Sequence, residues 1–279
     1  MSYLRAEKPL ASVIMTTYNA PKHLALALAS MQIQTTHDFE LHIADDGSSA
    51  ETSQLVEEFI DRAPFSVVYS WQADLGYRKT KILNEAIRKS RGDYLIFVDG
   101  DCIQHKDFVR NHLKYRQKNC YLAGRRVELG PSLSEWVTPE MVLRGQFSRP
   151  NLQVLLSCLK KDSAYFHRSF ALYNPTLRRV LRMEKVDDLK GCNFSVDRES
   201  MMKINGFDED YVGYSREDTD VELRLQALGL KIKSLKGLAL QYHVWHPRLS
   251  EDANNIRKLH ERYHLVRESA VCKNGIVKY

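Results

Sequence analysis

The stretch Tyr94-Leu95-Ile96-Phe97-Val98-Asp99-Gly100-Asp101-Cys102 decides how this sequence is read. Its first five residues are aliphatic or aromatic without interruption, the pattern of a strand buried on both faces. The run stops abruptly at Asp99-Gly100-Asp101. Two carboxylates at i and i+2 cannot lie inside an apolar strand without partners. At the carboxyl end of a strand in an open α/β sheet they project into the crevice where ligands bind. Two hard oxygen donors there suit Mg2+ or Mn2+, and such a cation can hold a diphosphate. A lone D-x-D also reads as an Asp-Gly turn closing a strand, so the remaining sequence has to decide.

Upstream, strand and helix alternate with short connections. Ser12 to Thr17 reads as a strand ending in Tyr18-Asn19-Ala20-Pro21, and Pro21 opens a helix to Gln34 with Leu24, Leu28 and Met31 on one face. Phe39 to Ala44 is a second strand, stopping at Asp45-Asp46-Gly47-Ser48. A helix over 51–63 and a strand over 65–70 follow, then a helix over 80–90 with Ile82, Leu83, Ala86 and Ile87 inward. Each strand ends in polar residues, the pattern of a Rossmann-like, mostly parallel sheet flanked by helices, with a site along its C-terminal edge. Neither G-x-G-x-x-G nor G-x-x-x-x-G-K-[ST] is present, so dinucleotide and P-loop readings lose support.

Downstream the periodicity blurs between Glu128 and Lys185. Residues 151–161 form an amphipathic helix candidate, and Arg168 to Arg182 is a basic, aromatic-bearing stretch. It reads either as a solvated helical insertion covering the site or as a peripheral membrane face, with Arg178, Arg179 and Arg182 meeting anionic headgroups. Leu189 to Asp197 reads as a strand, Glu217 to Gly229 as an amphipathic helix, Leu238 to Val244 as a last strand and Ala253 to Glu268 as a surface helix.

The 279 residues suit one large domain, and a formal charge of +6 fits an anionic partner without choosing one. Five scattered cysteines without C-x-x-C spacing read as reduced thiols, not as a disulfide framework or zinc site. No apolar h-region stands at the N-terminus and no stretch approaches the ~20 apolar residues of a spanning helix, so a soluble or peripheral protein is expected.

Taken in order, SVIMTTYN, ADDGS and VDGD, followed by NGFDEDYVGYSREDTDVELRLQALG, resemble the family 2 glycosyltransferases of the GT-A fold, with a galactosyltransferase-like C-terminal segment. The resemblance covers roughly residues 10–130 and 188–248. It implies one GT-A domain: a nucleotide-binding half at 10–127, a helical insertion at 128–187, an acceptor and catalytic half at 188–248, and a helical tail at 249–279. It also implies an inverting transfer of a hexose or N-acetylhexosamine from a UDP-sugar to a glycan or glycolipid hydroxyl, in bacterial surface polysaccharide synthesis. The expected location is cytoplasmic, with the inner face of the cell membrane as a candidate contact and no nucleic-acid partner.

The resemblance assigns roles by position. Thr16, Tyr18 and Asp46 would hold the base, with Asp46 accepting from uracil N3–H. Asp101 would bind the metal, with Gly100 in the same turn and Asp99 at the ribose or metal; His243, or His246 as runner-up, would complete the set. An imidazole ligand tilts the cation from Mg2+ toward Mn2+. Arg78 and Lys81 would face the base or phosphates, and Asn193 the donor sugar. Asp218 would be the general base, with Glu217 positioning the acceptor. Tyr214 stands where the family often has a tryptophan. Two rivals share part of this pattern. A nucleotidyltransferase would want a glycine-rich loop after the first strand, and a nucleic-acid-binding module would not need acids at strand ends.

Overall fold

The apolar runs of the first hundred residues become strands because burial on both faces leaves no polar side to expose. In the computed structural model, which describes residues 8–186, 188–266 and 268–279, the chain opens with β1 (Ala11–Thr17), α1 (Pro21–Gln32), β2 (Phe39–Asp45) and α2 (Ala50–Ile60). It continues through β3 (Ser66–Trp71), α3 (Lys79–Lys89) and β4 (Tyr94–Asp99). Every residue of β1 and β2 is buried. The expected absence of a leader rests partly on residues 1–7, which lie outside the described ones.

Between β4 and Glu128, where the sequence reading assigns nothing, the structure has β5 (Cys102–Gln104), α4 (Phe108–Tyr115), β6 (Cys120–Ala123) and β7 (Val127–Glu128). The insertion is built from short helices: α5 (Pro131–Trp136), α6 (Pro139–Leu143), α7 (Leu152–Leu159), a 3-10 turn (Phe166–Ser169) and α8 (Pro175–Val180). The chain ends with β8 (Asn193–Asp197), α9 (Arg198–Lys203), α10 (Glu217–Ala227), β9 (Lys231–Ser234), β10 (Gln241–His243) and α11 (Ala253–Leu265). The strand expected from Leu238 is shorter because Leu235 to Ala239 form a turn, with Leu238 N–H and Ala239 N–H both donating to the Leu235 carbonyl.

The main sheet has the order β3-β2-β1-β4-β8-β6-β9, and β8 alone runs against its neighbours. Strand side chains alternate between its two faces. Val13, Met15, Leu41, Ile43, Ile96 and Val98 pack with α1, α2 and α4 on one side. Ile14, Leu95, Phe97, Phe194 and Val196 pack with α3, α9 and α10 on the other. A second sheet, β5-β10-β7, sits beyond the carboxyl end of β4. The result is the expected α/β layering, with a helical insertion and a C-terminal helix.

One surface expectation is corrected. Arg178 does not face outward with Arg179 and Arg182: it is buried, and its guanidinium donates to the carbonyls of Leu172, Ser234 and Lys236. It ties α8 to the loop after β9. Among the described residues no helix is long and apolar enough to cross a membrane, and all five cysteines are free thiols.

Candidate active site

Parallel pairing in register collects the polar strand ends on one edge. Thr16 lies opposite Asp99 and Thr17 opposite Asp45. Gly100 N–H donates to the Thr16 carbonyl at 2.7 Å, and a Cβ at Gly100 would stand 2.8 Å from that oxygen, so only glycine lets the chain turn here against β1. Asp45 closes its own turn, its Oδ1 accepting from Gly47 N–H and Ser48 N–H. That leaves Asp46, whose carboxylate accepts from Gln72 and from Arg78 N–H at 2.7 Å. Burial pushes the Asp46 carboxyl up, against those two donors. Tyr18 is half-exposed and donates to Asp74 at 2.9 Å. The Arg78 guanidinium turns back onto the Ala73 carbonyl, so what Arg78 gives this edge is its backbone N–H.

Asp101 and the two histidines come together across the second sheet. Antiparallel pairing sets Cys102 opposite His243, and Val244 N–H donates to the Asp101 carbonyl. His243 Nε2 is 3.5 Å and His246 Nε2 3.2 Å from Asp101 Oδ2. One ligand atom from each of the three residues lies within 4.8 Å of the others. Two nitrogens and a carboxylate fit Mn2+ better than Mg2+. Burial opposes it, but contacts with Asp101 and Glu128 hold His243 up to about 9. The trio is thus a compact acid–imidazole cluster whose protons a cation would replace.

Glu128 is a residue the sequence reading missed. It stands opposite His243 in the β7–β10 pair, with its Oε2 3.0 Å from His243 Nδ1 and its Oε1 accepting from Arg126 Nε at 2.8 Å. A carboxylate on Nδ1 fixes the imidazole so that Nε2 faces Asp101.

Asp99, expected at the ribose or the metal, stands outside the trio. Its Oδ1 accepts from Thr16 Oγ1 and from Lys79 Nζ, each at 2.8 Å. Lys79, not Arg78 or Lys81, is the cation that enters the site, and it also lies 3.8 Å from Glu217. Helical phase gives the signal for it, since Lys79 precedes the inward Ile82 and Leu83 by three and four positions. Lys81, two positions on, faces solvent. Asn193 is a second correction. Its side chain is fully buried, donates to the carbonyls of Arg125 and Ala239, and meets His112 through its oxygen, leaving no amide atom directed at a sugar.

A cavity of about 430 Å3 opens between the insertion and the start of α10. Glu217, Asp218 and Tyr214 line one side, Gly191 and Cys192 the floor, and Arg126, Tyr165 and Arg168 the insertion side. Asp218 is held by Gly191 N–H at 3.0 Å and Thr219 N–H at 2.7 Å. Ser215 and Arg216 precede it with φ of 94° and 76°, a left-handed pair that only surrounding structure can hold. Asn255 on α11 supplies that hold by donating to the Gly213 and Ser215 carbonyls, and Arg216 pairs with Glu251 at 2.8 Å. Below, buried Asp220 accepts from Arg224 Nε and Arg262 Nε, each at 2.7 Å. Glu217 is pushed up to about 7 by burial, with Asp218 adding and Lys79 opposing.

The family model described as glycosyl transferase family 2 matches residues 12–182, and the one described as N-terminal domain of galactosyltransferase matches residues 177–247. An uncharacterized glycosyltransferase of Bacillus subtilis, YfnE, is 29% identical over 88% of this chain and 68% of its own length. A validoxylamine A glucosyltransferase of Streptomyces hygroscopicus subsp. jinggangensis is 27% identical over 95% of this chain, which spans only 59% of that relative. Among solved structures, the mannosyltransferase PcManGT of Pyrobaculum calidifontis, in complex with GDP-Man and Mn2+, superposes with a TM-score of 0.59 at 13% identity, over 93% of this chain and 70% of that one. Residues 1–349 of S. aureus TarS in complex with UDP give a TM-score of 0.59 at 16% identity, over 92% and 64%. Both likenesses are of fold, and the fold is that of the GT-A glycosyltransferases.

Glu217 generates a test of the site's electrostatics. A carboxyl whose pKa is higher folded than unfolded binds more protons when folded. Its contribution therefore favours the folded state below about 4.5 and is lost as pH rises through about 7. Glu217→Gln is expected to raise Tm at pH 8 by roughly 2–6 °C and to leave it unchanged near pH 4.5. Calorimetry at the two pH values checks this, and an equal shift at both would contradict it.

Proposed function

The chain belongs to glycosyl transferase family 2, and from that premise we propose that it is an inverting, metal-dependent transferase. It would move a hexose or N-acetylhexosamine from a UDP-sugar to a glycan hydroxyl, in the synthesis of a carbohydrate chain. The observation that carries this reading is the meeting of two chemistries on one sheet edge. The Asp101–His243–His246 trio lies at one end, and the Glu217–Asp218 pair faces the cavity at the other, with Lys79 and Asp99 between them.

Asp101, His243 and His246 would hold Mn2+, and the bound cation would neutralise charge on the diphosphate leaving group. Glu128 keeps His243 turned toward that position. Asp46 would accept from the base N3–H while Thr16 and Tyr18 border the base and Lys79 presents its charge beside Asp99. On the opposite side Asp218, oriented by the Gly191 and Thr219 amides, would take the acceptor proton as the hydroxyl attacks the anomeric carbon. Attack opposite the departing UDP turns an α-linked donor into a β-linked product. Glu217 would orient the acceptor hydroxyl, and Tyr214 offers a ring for the sugar to stack on. The GDP-Man and Mn2+ bound by the Pyrobaculum mannosyltransferase and the UDP bound by TarS support a divalent cation and a nucleotide-linked donor.

On the surface, Leu177, Val180 and Leu181 of α8 and its end are exposed beside Arg179 and Arg182, which supports peripheral docking on an anionic bilayer. Flotation with vesicles containing anionic lipid should carry the protein upward, and Val180→Asp should abolish this. No co-flotation of the wild type would remove the membrane contact.

Two experiments test the chemistry. Asp101→Ala should abolish Mn2+-dependent UDP binding, and Glu128→Ala should weaken Mn2+ binding ~10-fold, both read by isothermal titration; unchanged Mn2+ affinity in the two variants would sink the trio. Asp218→Asn should keep UDP·Mn2+ affinity while turnover falls by ~10²-fold or more. Full activity in that variant would reassign the base, with Glu217 next in line.

A further inference from the structure

We propose that the insertion side of the cavity is a subsite for an anionic group carried by the acceptor, a carboxylate or a phosphate, gripped by Arg168, with Arg126 and Lys190 lining the same cavity. The proposal rests on the reading above for which substrate enters the cavity; the subsite itself stands on charge and geometry.

Four cations gather on this side and share two carboxylates. Arg125 and Lys190 both pair with Asp188. Arg126 pairs with Glu128, which His243 also uses. Arg168 makes no ion pair among the described residues: its Nη1 donates to the Arg126 carbonyl at 3.0 Å, and burial pushes its pKa down. The opposite side shows no such excess, since Arg216 is matched by Glu251 and Lys79 lies between Asp99 and Glu217.

Arg168 is also held in a particular pose. Its guanidinium carbon lies 3.7 Å over the Tyr165 ring. Tyr165 adopts φ of 64°, uncommon for a bulky residue, and the paired backbone of Ala164 and Glu128 fixes it beside β7. A guanidinium held this close over an aromatic ring has its motion restricted, and the planar fork of its N–H groups is the shape that receives a carboxylate or phosphate through two parallel hydrogen bonds. The Asp101 trio does not line this cavity, whereas Glu217 and Asp218 line it together with Lys79, Asp99 and Glu128; we assign the anion to the acceptor because the candidate base opens onto the same space, and the UDP·Mn2+ arm of the test separates it from the leaving diphosphate. The ligand class is thus an acidic sugar bearing a carboxylate, or a phosphorylated polyol or sugar.

The test titrates the full-length protein, with and without UDP·Mn2+, with methyl β-D-glucuronide, sn-glycerol 3-phosphate and the neutral methyl β-D-glucoside. At least one anionic probe should bind ~10-fold or more tighter than the neutral one, the scale of one charge-assisted bidentate contact; which anion wins identifies the source. Arg168→Gln should remove that preference while Tm and UDP·Mn2+ affinity stay unchanged. Should Arg168→Gln not fold, Lys190→Gln is expected to reduce the preference about threefold. Equal binding of neutral and anionic probes, or an intact preference in Arg168→Gln, would overturn the subsite. So would a loss of UDP·Mn2+ affinity in Arg168→Gln, which would make Arg168 a donor-phosphate contact. Absence of UDP·Mn2+ binding in the wild type would instead count against the transferase reading, while the nucleotide-free titrations still read the subsite.

Discussion

Buried Asp220 binds two arginines at once, Arg224 within α10 and Arg262 from α11, and Arg262 reaches on to Asp208. Arg224 Nη1 donates to the carbonyls of Ile204 and Gly206. Charges this deep are stable only as a complete set, and breaking such a set by one member costs about 3–5 kcal/mol. The set fixes the first turn of α10 against α11 and the 204–208 turn. Its position along the chain explains its importance. Glu217 and Asp218 share that first turn, just after two left-handed residues that store of order 1–3 kcal/mol of strain each. The acids can be aimed into the cavity because the helix beneath them cannot recoil.

The parts of this architecture legible in the sequence are those whose signal is local. β1, β2 and β4 are buried on both faces, so their apolar runs announce them, and the polar residues that end them fall on one edge by register alone. β5 and β7 carry no comparable signal, and of the strand read at Leu238 to Val244 only β10 forms. Each is two or three residues long and pairs with strands far away in sequence, so their existence depends on tertiary contacts. The same contrast separates the site residues. Asp101 and His243 stand in recognisable strings, whereas Glu128 becomes relevant only once β7 lies beside β10.

The misread amide and guanidinium show where residue type misleads. Asn193 has the chemistry of a sugar ligand, yet its partners are His112 and two carbonyls brought from other elements, and it bridges β8 to them. Arg178 has the chemistry of a headgroup contact and serves instead as an internal brace. Lys79 was available from phase: its neighbours Arg78 and Lys81 carry similar charge but point elsewhere on the helix. Polar residues are ambiguous in sequence because burial, which decides their role, is a property of everything else in the fold.

The reversed strand β8 has a further consequence. β6 and β8 are adjacent and antiparallel, and Gly124 N–H bonds to the Asn193 carbonyl where the chain leaves and re-enters the sheet. In topological terms the whole excursion between them, with the arginine-rich wall of the cavity, is one long hairpin loop. Closing such a loop grows costlier only slowly with length, by about 0.6 kcal/mol per doubling. The sheet therefore tolerates excursions of different size and content at this point. One excursion thus supplies the arginine-bearing side of the cavity and, through Glu128, a partner for His243, while the sheet strands around it keep their register.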